Sequence, residues 1–295
     1  MSAFASILVP VSDADAAAEP LDLALSLAGR CGGHVVALHV RPDATTAVPL
    51  VGEGMSGAMV EEMIGMAETQ AAARAKAARA AFDAALIRHG ARLAETPPAD
   101  GLTAEWIEQV GREDDLVAWR GRLADLVVFA HPGGNAEASS MITLNTALMA
   151  AGRPLLLCPA EKPRDRATTL PGKRVVIAWN GSAEAARAVG WAMPLLKGAE
   201  AVTILAASEH VDHKVEAPVG ELAAYLGWHG ITATVTLVQA SSAQAGEELL
   251  RQAVKAEADL LVMGAYTHSR LRQLILGGVT RHVIAHSPLH VLMCH

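Results

Sequence analysis

The sequence predicts an α/β fold built as two tandem parallel-sheet units. Three observations carry that prediction. Short, uniformly apolar runs, ILVPV at residues 7–11, LVVF at 126–129, VVIAW at 175–179 and LLVM at 260–263, suit strands buried on both faces of a sheet. These runs alternate with amphipathic stretches, as strand–helix–strand units require. The pattern also occurs twice. Val175 repeats Ile7 at an offset of 168, and Val202 repeats Val35 at 167. Asp259 repeats Asp125 at 134, and Val291 repeats Leu155 at 136. A chain of 295 residues then divides into two units of about 150 each.

The elements follow in order. After the strand at 7–11, Ser12-Asp13 leads into an amphipathic helix running to about Gly29. Residues 35–40 form the second strand. The fall in offset from 167 to 134 places about 33 extra residues in the first half, after this strand. Their source is an Ala-rich run at 57–90 carrying Arg74, Lys76, Arg79 and Arg88, which reads as one long helix ended by Gly90 and preceded by a flexible loop at 51–57. It is expected to be a solvent-flanked helix. Strands at 125–129 and 155–158 complete the first half. A charged, proline-bounded linker at 159–172 marks the boundary. The second half repeats the scheme: a strand at 175–179, Asn180-Gly-Ser182, a helix to about Leu196, and a strand at 202–207. A shorter helix at 217–229 and strands at 259–263 and 291–294 complete it. The expected domains are 1–160 and 173–295.

Composition excludes several function classes. A net charge of −7 gives no broad attraction to nucleic acid or to an anionic membrane surface. No apolar run approaches the length of a membrane span. The opening residues lack the basic segment of a secretory leader. Cys31, Cys158 and Cys294 have no metal-ligand spacing, so reduced thiols and a cytoplasmic location are expected. His282, His286 and His290 are spaced by four, but Ser287-Pro288 breaks that helix and no carboxylate motif accompanies them. No metal site is expected. Neither a Gly-x-Ser-x-Gly elbow nor a His-Glu-x-x-His motif occurs, and no catalytic residue is assigned.

The stretch from 260 to 280 carries the most chemistry. An apolar strand stops at Gly264, a polar loop with Thr267, His268 and Arg270 follows, and Gly277-Gly278-Val279-Thr280 opens another helix. Glycines at a strand end let backbone amides approach an anion, and a helix start at Gly278 would point its N–H groups and positive dipole end at the same place. Thr280 adds a hydroxyl. The same glycines could equally serve only to turn the chain and begin the helix.

The stretch resembles the nucleotide loop of the universal stress protein family, Gly-x2-Gly-x9-Gly-Ser/Thr, with Gly264 as the first glycine and Gly277 as the third. Thr267 stands where the second glycine belongs, and Gly278 where the Ser/Thr belongs. The resemblance implies two tandem Rossmann-like domains of the adenine nucleotide alpha hydrolase-like kind, each a five-stranded parallel sheet with flanking helices. It implies a soluble stress-response regulator binding ATP or another adenine nucleotide, with or without Mg, in the second half. It implies no enzyme activity beyond slow ATP hydrolysis.

In the family an Asp at the end of the first strand meets the base. Asn180 holds that place here, beside Ala178 and Trp179, with Ala206 on the second strand and Met263 next to Gly264. The resemblance also places the last strands of the two units, 155–158 and 291–294, against each other, as an internal pseudo-dimer or a homodimer contact. In the first half, His131-Pro132-Gly133-Gly134 lacks the second glycine step, and Pro132 removes an amide donor, so no nucleotide is expected there. The alternative is the same fold with a closed or empty site, acting as a protein-interaction module. A pyrophosphatase-like or electron-transfer flavoprotein-like enzyme lacks its carboxylate cluster.

Overall fold

Apolar runs that avoid helix periodicity become parallel strands. A computed structural model describes residues 4–43, 57–97, 100–132, 138–159, 170–208, 213–241, 243–266 and 278–295. The chain forms two compact units, one of Met1–Ala130 with Ala138–Ala151, the other of His131–Glu137 with Gly152–His295.

The first unit runs β1 (Ser6–Pro10), α1 (Ala14–Gly29), β2 (His34–Arg41), α2 (Gly57–His89), β3 (Arg92–Leu93), β4 (Thr103–Val110), α3 (Glu113–Gly121), β5 (Leu126–Phe129) and α4 (Ala138–Ala150). Its strand order is β3-β4-β2-β1-β5, with all recorded pairings parallel. Asp13 caps α1 by accepting from the Asp15 backbone N–H at 2.8 Å. The long helix α2 is anchored only along its second half, where Ala75, Ala78, Phe82, Ala85 and Leu86 are buried.

The second unit runs β6 (Leu155–Leu157), β7 (Arg174–Ala178), α5 (Ala183–Leu196), β8 (Ala201–Ser208), α6 (His213–Trp228), β9 (Ala233–Gln239), α7 (Ala245–Lys255), β10 (Leu260–Gly264), α8 (Gly278–His286) and β11 (His290–Cys294). Its order is β6-β11-β10-β7-β8-β9. Five of these strands are parallel. β6 lies antiparallel to β11, with Leu157 opposite Val291 and Leu155 opposite Met293. The two segments therefore meet, as expected, but β6 belongs to the second unit and does not complete the first, and the pairing covers the β11 edge within that unit.

Two strands, β4 and β9, escape an apolar-run reading. TAEWIEQV and ATVTLVQ mix polar and apolar residues because neither strand is buried on both faces. The repeat offset does, however, carry a structural device. Asp125 accepts from the backbone N–H groups of Ala5 at 2.9 Å and Ser6 at 3.0 Å, at the start of β1. Asp259 accepts from Gly172, Lys173 and Arg174 at 2.8, 3.1 and 3.3 Å, at the start of β7. Each carboxylate ties the beginning of its own strand to the beginning of the central one. Bonds to a charged acceptor are worth roughly 1.5–3 kcal/mol when buried, and these are partly exposed. Asp259→Ala is therefore expected to lower stability by about 2 kcal/mol in urea unfolding, and Asp259→Asn by less. An unchanged midpoint for Asp259→Ala would refute the role.

Candidate functional site

Strand order reverses within the second unit at β7, whose neighbours are β10 on one side and β8 on the other. Open parallel sheets leave a crevice outside the carboxyl ends of the strands at such a point. Register brings the predicted residues together there. Ala178 pairs with Met263 on β10 and with Leu205 on β8, one residue before Ala206. Trp179 continues the β7 alignment, its backbone N–H donating to the Leu205 carbonyl at 2.9 Å.

The turn after β7 is held by its own polar groups. Asn180 Oδ1 accepts from the Ser182 backbone N–H at 3.1 Å, and Gly181 takes a left-handed φ of +73°. Ser182 Oγ then accepts from the Ala185 N–H at 3.1 Å, capping α5. Asn180 thus uses its side-chain carbonyl to hold the turn. Trp179 is half-buried. Its indole Nε1 is buried, with no hydrogen-bond partner among the described residues. A buried donor without an acceptor is costly, so an acceptor at this point would be favoured.

The β10 end is built differently from its sequence reading. A Cβ on Gly264 would lie 2.5 Å from the Ala185 nitrogen and 2.8 Å from the Glu184 carbonyl carbon. Close packing of the first turn of α5 against β10 is therefore sufficient reason for this glycine. Beyond it, the Ala265 N–H donates to the Cys294 carbonyl at 2.8 Å. Tyr266 adopts φ +57°, a left-handed conformation rare for a bulky residue, and its N–H donates to Thr280 Oγ1 at 3.3 Å. That bond joins the end of β10 to the first turn of α8. Burial pushes the Tyr266 phenol up to about 12, so it is neutral at physiological pH. His295 Nδ1 lies 3.1 Å from the Ala265 carbonyl.

Helix α8 begins at Gly278, as expected. Gly278 is exposed and a Cβ there would meet nothing within 4 Å, Val279 is half-buried, and Thr280 is buried. Thr280 accepts from the loop backbone, leaving its own proton to donate. The structure thus gathers Ala178, Trp179, Asn180, Ala206, Met263, Gly264, Gly278, Val279 and Thr280 into one unit of parallel strands with adjoining turns and helix. Thr267, His268, Arg270 and Gly277 lie outside the described residues. Sequence reasoning missed Tyr266 and His295. Nothing in an Ala-Tyr pair after a glycine signals a left-handed tyrosine.

Of the three histidines spaced by four, His282 and His286 stack on α8 with ring centroids 4.4 Å apart, while His290 opens β11. Gly133 and Gly134, read as part of the degenerate loop of the first half, lie outside the described residues.

Residues 172–295 match the universal stress protein family model. A universal stress protein of Synechocystis is 24% identical over 301 residues, spanning 97% of this chain and 98% of that protein. A solved universal stress protein from Archaeoglobus fulgidus superposes with a TM-score of 0.64 at 18% identity, covering 99% of this chain and 96% of its own. A functionally unknown protein from Pseudomonas aeruginosa gives 0.60 at 14% identity, covering 99% and 93%.

Proposed function

We propose that this chain, whose residues 172–295 match the universal stress protein family model, is a non-catalytic stress-response regulator that binds an adenine nucleotide in its second unit. The division into domains 1–160 and 173–295 belongs to the same proposal. The observation that supports it best is the convergence at the strand-order reversal. The carboxyl ends of β7 and β10 lie at that reversal, and Thr280 ties the loop after β10 to the amino end of α8. A helix amino end offers N–H groups and a positive dipole end to phosphates. The residues present fit such a ligand. Trp179 brings a buried donor lacking an acceptor among the described residues, Asn180 stands at the end of β7, and a Cβ on Gly278 would meet nothing within 4 Å. No carboxylate cluster is part of the proposed site, so the helix end is what it offers to phosphate charge, and any Mg would be held by the phosphates themselves.

One observation favours the second reading, an interaction module with a closed site. The Cβ position of Gly264 is filled by the backbone of α5, so packing explains this glycine without a phosphate. Mass spectrometry of the purified, denatured protein for nucleotide content, followed by calorimetry with ATP, separates the two. The expected result is one nucleotide per chain. Two equivalent sites would contradict the assignment to the second unit, and neither bound nucleotide nor heat of binding would establish the module.

A further inference from the structure

Helix α2 spans 33 residues, yet its buried residues begin only at Ala75. Its outward side is not the charged face that a solvent-flanked helix calls for. A single seam runs its length, from Met59, Met63 and Met66 through Gln70 and four alanines to Ile87, in steps that alternate four and three residues. The seam is exposed throughout. Met63 is 39% exposed, Met66 58% and Ile87 83%. Such a repeat is the pattern by which one helix packs along another. A shallow surface depression lined by Glu62, Gly65, Met66, Thr69 and Gln70 lies in its amino-terminal half.

We propose that the exposed seam of α2 is a homodimer surface, pairing antiparallel with α2 of a second copy of this chain. Side-chain size and charge along the seam select this partner and this direction. The amino-terminal part carries large methionines and the glutamates Glu61, Glu62 and Glu68. The carboxyl-terminal part carries alanines with Arg74, Lys76 and Arg79. Antiparallel pairing with Met63 facing Ala73 of the second copy also sets Met59 facing Ala77 and Met66 facing Gln70. Within this overlap every large residue then meets a smaller one, while Ala80, Ala84 and Ile87 extend past the start of the second copy's helix. At the flank of the same register, Glu62 of each copy lies beside Lys76 of the other, twice by symmetry. Among the described residues neither Glu62 nor Lys76 is engaged in an ion pair within its own chain. A parallel pair would set methionine on methionine at one end and alanine on alanine at the other, with Glu62 and Lys76 facing alanines.

The paired stretch, from residue 59 to 77, is about 27 Å long at 1.5 Å per residue. A single helix pair of this length is a small interface, so dissociation is expected at about micromolar concentration.

Sedimentation equilibrium of the full chain tests this. The parent should show a monomer–dimer equilibrium. Met63→Glu with Met66→Glu should weaken it more than tenfold while leaving the thermal midpoint unchanged, since both positions are exposed. Glu62→Lys alone should weaken the dimer roughly tenfold, because two attractive contacts become repulsive. Combining it with Lys76→Glu should restore the dimer. The two single variants mixed should prefer each other. Thr69→Cys, which faces its own copy in this register, should cross-link under mild oxidation, and Ala84→Cys should not. A parent that stays monomeric to hundreds of micromolar overturns the proposal and leaves the seam to some other occupant. A dimer indifferent to the methionine and charge variants places the interface elsewhere and overturns it equally.

Discussion

Gly264→Val should destabilise the second unit by about 3 kcal/mol. The reason is steric and local. Any Cβ at this position would stand 2.5 Å from the Ala185 nitrogen and 2.9 Å from the Glu184 Cβ. Those atoms belong to the first turn of α5, which Ser182 holds in place by capping. Neither side can yield cheaply, because Gly264 sits in register with Cys294 on β11 while Ala265 is bonded to the Cys294 carbonyl. Overpacking of a well-fitted interior costs roughly 1–3 kcal/mol, and collision with backbone belongs at the upper end. In a unit of about 150 residues this corresponds to a fall in midpoint of roughly 6–12 °C. Gly264→Ala should show the larger part of the effect, since the first carbon already collides. If Gly264→Ala unfolds like the parent, the packing account fails and the glycine is free for a ligand. Loss of nucleotide binding in Gly264→Val would not by itself establish phosphate contact.

The fold was largely legible because its strongest signals are local and its core is built from them. Runs such as VVIA and LLVM have one way to be buried on both faces, and the repeat offsets multiply that evidence. β4 and β9 were not legible as apolar runs, because their exposed faces carry Glu, Gln and Thr. The site was legible in part. Spacing located the end of β10 and the start of α8, and the structure brings both to one side of the strand-order reversal. The work of each residue was not legible. Gly264 packs against a helix that begins 81 residues earlier in the chain, and only the fold reveals that neighbour. Thr280 bonds to the backbone of Tyr266, 14 residues away across the loop. The long helix was read at its full length with its end at Gly90, but its exposed methionine seam was hidden by an alanine content that makes every face look similar.

Phe82→Ala should be the other severe variant, and it tests how that helix is held. Five residues of α2 are buried, and three of them are alanines that each remove little surface from water. Phe82 is fully buried, its ring centroid 5.5 Å from that of Trp106 on β4. The Arg79 guanidinium lies over both rings, 5.6 Å from Phe82 and 5.8 Å from Trp106. Truncation removes the largest apolar contact between helix and sheet, opens a cavity, and leaves the Arg79 cation without one of its two aromatic faces. The loss should be about 3–5 kcal/mol, enough to consume a large share of an ordinary domain's stability. An alanine-rich helix can stay helical while coming off its sheet, so helical content alone would be a poor measure. Limited trypsin digestion is better, since Arg74, Lys76, Arg79 and Arg88 become cleavable only when the anchored half lifts away. The expected result is a lowered urea midpoint with new cleavage inside α2. Met63→Glu, on the exposed seam, should show neither. If Phe82→Ala loses less than about 1 kcal/mol and gains no cleavage site, then helix α2 is fixed by contacts other than its aromatic anchor.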